Sequence, residues 1–374
     1  MFEAPHPRFR LYTRARSYTG PMGRETGDQR DVKALETRLI EETGAADAVC
    51  VSQARLGIYL VVKALIRPGQ RVIMSPYTIV DVVNMVICAG GRPLFADVEP
   101  DTCNIDPGEV ERLLHEDDVG LVLATHLHGV PADTFRLLAL CRDNRIPLVE
   151  DAAQAFGAQQ EKRWLGAIGD AGIYSFGMYK HVNAWYGGAV VLRDEALGQR
   201  IRNEVDSFRL LPRTRLAKKM QLGWITDLVT HPAVFKSSTY WMFRYGFLHE
   251  IGWINRRVDP ERDIGRKDEI PRRYLTRLRD AQARLILDQL PGLAKRTAAR
   301  RERAGVYRAG LKTVVPLTFV PEEREPIYTY FPLQAPEPEQ LLRHLFLRRR
   351  DVAAQHLHNC ADLPAFSEFH RPCP

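Results

Sequence analysis

Between residues 48 and 192 short apolar runs alternate with stretches of helical periodicity, and nothing else in the 374-residue chain restricts its fold so strongly. Runs at 48–52, 71–75, 92–98, 120–125, 146–150, 172–176 and 187–192 have the length and apolar content of strands. The stretches between the first five, at 54–65, 79–89, 106–116 and 132–144, carry apolar residues at helical spacing. A strand, a helix and a further strand in repetition require crossover connections, hence a mostly parallel sheet. An α/β fold with a central seven-stranded sheet is therefore expected. A helix over DVKALETRLIEETG precedes it and stops at Gly44. Such sheets bind ligands beyond the carboxyl ends of their strands, so chemistry is sought just after each run.

Residues 194–265 break the rhythm. A basic run, Arg209, Arg213, Arg215, Lys218 and Lys219, leads into the aromatic stretch VFKSSTYWMFRYGFLHEIGWI. Residues 280–311 read as one long helix, and 312–374 as a smaller α+β unit in which YTYFPLQAP (328–336) reads as a strand ahead of a helix. Apolar residues at 45% and charged residues at 26% are ordinary globular values, which exclude collagen, long disorder and a disulfide scaffold. The net charge of +7 suits anionic small molecules or an anionic surface, and is too small to argue for nucleic acid. Six cysteines without a CxxC pair fit a reducing compartment. The first residues contain no apolar core of a signal peptide, so a cytoplasmic location is expected.

The densest chemistry lies in VEDAAQAFGAQQEKRWLGAIGDAGIYSFGMYKHVNAWYGG, 149–188. Asp151 follows a strand that reads as buried, where an unpaired carboxylate is costly. Alone it is equally well explained as a helix N-cap. Gln154 lies three residues on, and Lys180 sits in a turn beside glycines after a Ser-Phe pair. A carboxylate that needs a buried cation, together with such a lysine, points to pyridoxal phosphate (PLP). The acid keeps the ring nitrogen protonated and the lysine carries the cofactor covalently. No Gly-x-Gly-x-x-Gly follows a strand, so a dinucleotide site is not expected. His356, His358, Cys360, His370 and Cys373 have the chemistry of zinc ligands, but their spacing matches no zinc class and no metal is expected.

Four blocks in this region resemble the DegT/StrS-type PLP-dependent sugar aminotransferases. That family's EDAAQAxGA, GxxGD, FSFxxxK and glycine pair before a strand are met by EDAAQAFGA (150–158), GAIGD (166–170), YSFGMYK (174–180) and GGAVV (187–191). SPYTIVDVVNMVICAGGRPLFADVEPDTCNIDP (75–107), THLHGVPAD (125–133) and RLRDAQARLILDQLPGL (277–293) resemble further family segments. The resemblance implies Lys180 as the catalytic lysine and Asp151 beneath the ring nitrogen. It places Gln154 on the phenolic oxygen, Ser175 on the cofactor phosphate and Tyr77 over the ring. Tyr186, His181 and Arg277 become candidates for substrate contact. Where the family has Ser-Gly-Thr ahead of a helix, this chain has Ser52, Gln53, Ala54 and Arg55. A helix start at Ala54 still offers free N–H groups, and Arg55 can add a charge-assisted bond. Tyr186 stands where the family often has an acid, and Leu275 replaces the asparagine of an Asn-x-Arg pair whose arginine is Arg277.

The resemblance implies a PLP-dependent aminotransferase acting on a nucleotide-linked keto-sugar in amino-sugar or surface-polysaccharide biosynthesis, with glutamate as donor. A PLP-dependent sugar dehydratase and a non-catalytic regulatory protein on the same fold are the alternatives; the retained Lys180 argues against dehydratase relatives that lose it. The family's site forms at a dimer interface, so a homodimer is implied. The expected organisation is an N-terminal arm (1–28), a PLP-binding large domain (29–200), an inserted helical aromatic-rich segment (201–270), and a long helix with a small C-terminal α+β domain (271–374). Basic and aromatic residues over 209–253 are what a weak peripheral membrane contact needs. Past helix 337–350 the chain runs into a turn-rich tract where the family continues. Its leucines Leu341, Leu342, Leu345 and Leu347 then need a cover: a missing piece of chain, the inserted segment or a partner.

Overall fold

The computed structural model describes residues 5–11, 17–18, 28–253, 264–311, 324–352 and 357–370. Seven strands form the central sheet: β1 Asp47–Val51, β2 Arg71–Met74, β3 Arg92–Phe95, β4 Val119–Thr125, β5 Leu148–Asp151, β6 Ala171–Ser175 and β7 Gly188–Leu192. Their spatial order is β1-β7-β6-β5-β4-β2-β3. Strands β2 to β6 pair in parallel, whereas β7 runs antiparallel to both β6 and β1. All seven coincide with the runs read from the sequence to within a few residues.

Side chains alternate across the sheet, as the pleat requires. Ala48, Cys50, Ile73, Ala189 and Val191 face one core, and Val49, Val51, Val72, Met74, Val190 and Leu192 face the other. The first core is closed by helices α1 (Arg30–Thr43), α4 (Pro107–Leu113) and α5 (Thr134–Asp143). The second is closed by α2 (Ala54–Leu65), α3 (Val80–Cys88) and α6 (Glu195–Asp206). Two covered faces explain why these strands read as continuous apolar runs.

Three expectations from the sequence need correction. The helix expected over 280–311 is broken into α9 (Asp280–Leu287), a 3-10 turn at Leu290–Gly292 and α10 (Leu293–Leu311). Pro291 has no amide hydrogen, and its ring clashes with the carbonyl four residues earlier. The strand expected over 328–336 does not form among the described residues. Tyr328 has φ +50°, and this backbone instead crosses the turn at 127–129, where Ile327 N donates to Gly129 O at 2.9 Å. The turn-rich C-terminal tract is not idle either. His358–Asn359 pairs antiparallel with Tyr77–Thr78, and Cys360 and Phe366 are fully buried in the second core.

The segment after α6 forms α7 (Arg213–Val229), a π-turn at Phe235–Thr239 and α8 (Tyr240–Leu248). Phe235, Tyr240, Phe243 and Phe247 pack on Phe346 of α11 (Pro338–Leu347), with the Phe247 and Phe346 rings stacked at 4.6 Å. The inserted segment thus supplies cover on one side of α11, while Leu347 stays exposed. Of the N-terminal arm, Arg8 binds Asp351 at 2.6 Å and Phe9 meets the Tyr179 ring edge-on.

Candidate active site at the carboxyl ends of the strands

Asp151 ends β5, and Ser175 ends its parallel neighbour β6, so both side chains emerge at one edge of the sheet. Asp151 is 4% exposed, and its Oδ1 accepts from Ala153 N at 3.0 Å. Burial raises its carboxyl above the usual carboxylate range; the Ala153 bond, Lys180 and His126 pull in the opposite direction. The chain leaves β6 through a turn in which Lys180 N donates to Gly177 O at 3.0 Å. A Cβ at Gly177 would lie 3.7 Å from Ser175 Oγ and 4.0 Å from Lys180 Cγ, so those two side chains share the space beside it. Burial lowers Lys180 to about 8 against the pull of Asp151, and Arg55 lowers it further.

Arg55 comes from the first turn of α2. It binds Asp81 at 2.7 Å and Tyr274 Oη at 3.1 Å, and Asp81 also takes Lys267 at 2.8 Å. Gln53, the residue before α2, bridges to Gly187. Gly188 is obligatory here, since a Cβ would meet Ala54 N at 2.7 Å. The α2 start, β7 and Ser175 thereby meet at one place. Gln154 reaches in from the loop after β5 and accepts from His128 N at 2.9 Å through Oε1, which leaves its amide nitrogen as a donor. Tyr77 lies on the short strand held by His358–Asn359.

Across the chain, the sequence profile of the DegT/DnrJ/EryC1/StrS aminotransferase family matches residues 23–223 and 258–371. The chain belongs to this family. It is a PLP-dependent aminotransferase. Solved structures agree on the fold. A sugar aminotransferase from Micromonospora echinospora has 20% identity and a TM-score of 0.72, over 100% of this chain and 91% of that one. The S. venezuelae protein DesV, solved in complex with a ketimine intermediate, has 22% identity and a TM-score of 0.72, over 99% and 88%. The E. coli GDP-4-keto-6-deoxy-D-mannose-3-dehydratase, solved with bound hydrated PLP, has 20% identity and a TM-score of 0.65, over 92% and 83%.

The residues present fit the family's cofactor. Gln53 Nε2 is buried beside the α2 start with no hydrogen-bond partner among the described residues, as expected of a donor that waits for an acceptor. Asp151 is a buried acid whose raised value a cationic ring nitrogen would reverse. Lys180 has the lowered value that leaves its amine nucleophilic near neutral pH.

Other candidates are spread more widely. His181 is pushed down to about 3 by burial, then by Arg300 and Arg296, so its ring is neutral; neither ring nitrogen has a partner among the described residues. Tyr186 lies beside the α2 start, its carbonyl held by Gln282 at 2.8 Å. Arg277 is turned towards Asp206 at 3.6 Å, at the end of α6. Of the histidine and cysteine tail, His356 and Cys373 lie outside the described residues.

Sequence reasoning missed the residues that hold the loop carrying Lys180. Gln282 Nε2 donates to Ala184 O and Tyr186 O, and Gln289 binds Asn183 N and O. Their signal was two amides seven residues apart in an otherwise apolar helical pattern. It also missed Glu150, fully buried, which accepts from Gly166, Ile168 and Gly169 N and pairs with His126 Nε2 at 3.0 Å. His126 Nδ1 accepts from Ala132 N, so Nε2 carries the hydrogen. This node fixes the GAIGD loop against the start of Asp151's own turn.

Proposed function

We propose that this aminotransferase moves an amino group from glutamate to a nucleotide-linked keto-sugar in amino-sugar or surface-polysaccharide biosynthesis. The observation that carries the reading is the place of Lys180, which shares the space beside Gly177 with Ser175 at the carboxyl ends of the strands where Asp151 is buried. PLP, when bound, supplies an electron sink for the substrate carbon. Asp151 would keep a proton at the ring nitrogen. Gln154 would donate to the phenolic oxygen, and Tyr77 would exclude water from the ring. Ser175 Oγ, the Ala54 backbone and Arg55 would hold the phosphate, where a helix start already favours an anion. Lys180 would hold the cofactor and, when its amine is free, accept at Nζ the proton that the substrate carbon loses. Tyr186, His181 and Arg277 would contact the sugar substrate.

The sugar class is supported by the family and by the relatives named above; the presence of a dehydratase among them makes dehydration the competing reading. Labelled glutamate offered with a panel of nucleotide-linked keto-sugars decides between them. Nitrogen label in the product supports amino transfer, and a deoxy-keto product without label overturns it. Cytoplasmic location and a homodimer belong to the same reading, the dimer being checked by light scattering in solution. A weak peripheral membrane contact through 209–253 is supported by the exposed Leu222, Trp224, Ile225, Leu228, Trp241, Met242 and Tyr245, which lie on faces opposite those that pack inward. Co-sedimentation with anionic vesicles at low salt tests it; absence of binding there disposes of it.

A further inference from the structure

We infer that Arg215 and Lys219 of α7 form, above the Tyr186 ring, a seat for a phosphate group. The Arg215 guanidinium lies 4.9 Å and the Lys219 ammonium 5.7 Å from the Tyr186 ring centroid. Two cations over one ring repel each other, and neither has a carboxylate within salt-bridge distance among the described residues. Arg215 Nη1 also donates to the Arg273 carbonyl, which orients the guanidinium but leaves its charge, like that of Lys219, without a counter-charge among the described residues. Asp81, the carboxylate beside Arg55, is already shared by Arg55 and Lys267. Burial pushes Lys219 downwards, and the charges of Arg55 and Arg215 push it further. An anion between these cations offsets their mutual repulsion.

The frame that holds the pair is rigid. Gly223 of α7 leaves no room for a Cβ, which would lie 2.1 Å from the Trp185 ring. Leu216 and Met220 are buried beneath the same helix. Tyr186 is followed by Gly187, which bridges to Gln53 at the α2 start. The pair therefore stands next to the cofactor-phosphate position, from a helix outside the four sequence blocks that identified the site. A phosphate matches the seat by charge and by geometry, since a guanidinium offers a bidentate fork and an ammonium a point charge. Two sources can fill it: the cofactor's own phosphate, or a phosphate of a diphosphate-linked substrate. The second rests on the proposed sugar chemistry, and the first does not.

The test compares wild type with Arg215→Met, Lys219→Met and the double variant, each shown folded by its circular-dichroism melt. PLP and pyridoxal, which lacks the phosphate, are titrated into cofactor-free protein, and inorganic pyrophosphate into the holoenzyme. Losing a charge-assisted bond should weaken a ligand by about tenfold or more. If PLP weakens by that factor while pyridoxal does not, the seat holds the cofactor phosphate. If pyrophosphate weakens while PLP does not, the seat holds a substrate phosphate. In either case Lys219→Arg should restore most of the affinity. The inference is overturned if PLP and pyridoxal weaken equally with pyrophosphate unaffected, or if no affinity moves by more than about twofold. Failure of amino transfer with the seat intact would sink the sugar reading and leave the seat standing.

Discussion

Lys180 carries the sharpest expectations. Its folded value of about 8 lies below the ordinary 10.5 because burial disfavours the ammonium. The folded chain thus releases this proton around pH 8, whereas an unfolded chain holds it until about 10.5, and the free amine dominates in the folded chain above about 8. In cofactor-free protein, labelling of Lys180 by an amine-reactive reagent should rise with pH to half its maximum near 8, well before exposed lysines; a midpoint near 10 would contradict the site as described. Lys180→Ala should lose both the visible absorbance of bound cofactor and turnover, with an unchanged melt. Asp151→Ala should keep cofactor while turnover falls by several orders of magnitude, roughly what removal of a positioned charge costs. Measured turnover near wild type would remove Asp151 from its role. At this scale the EDAAQA and YSFGMYK blocks made the central residues legible, because a buried acid and a turn lysine have few other uses. The supports were not legible. Gln282 and Glu150 act through backbone groups brought from distant loops, and nothing in a residue's sequence neighbours reports which amide it will meet.

Helices and strands tell a different story. The seven runs were readable because both faces of the sheet are covered, so composition alone marked them. The break at Pro291 was readable too, since proline inside a helical pattern ends it, yet the apolar periodicity on both sides masked the stop. The 328–336 run failed as a strand because its partner groups are the turn at 128–129 and the Arg300 guanidinium, which donates to Tyr328 O and Thr329 O at 3.1 Å. The packing of α8 on α11 leads to a stability prediction. Phe346 is 2% exposed among four aromatic side chains, and the Tyr240 hydroxyl donates to its carbonyl. Phe346→Ala should cost about 3–5 kcal/mol locally, as large-to-small core changes do. Amide exchange should speed up over 235–248 and 338–347 together, while the strands keep their protection. Exchange confined to 338–347 would show that the two helices are not one unit. Gly223→Val should act one step further in: a side chain there strikes Trp185, so α7 must lift from the loop that carries Lys180. Turnover should fall without loss of the sheet's far-ultraviolet signal.

For the whole molecule, β7 has the longest reach. It is the last strand of the sheet in sequence, and it fills the gap between β6 and β1, the first strand. Among the described residues β1 pairs with no other strand. On a ribosome, α1 and β1 therefore emerge early and have no hydrogen-bonding edge to join until Leu192 has cleared the exit tunnel. At about 5–20 residues per second this wait lasts on the order of ten to thirty seconds. During it the nascent chain exposes Val49 and Val51, an aggregation-prone edge that a chaperone could shield. Lys180 lies in the loop immediately before the strand that ends the wait. A synthesis arrest just before residue 188 would therefore leave a chain that already carries Asp151 and Lys180 while β1 still lacks the strand it pairs with.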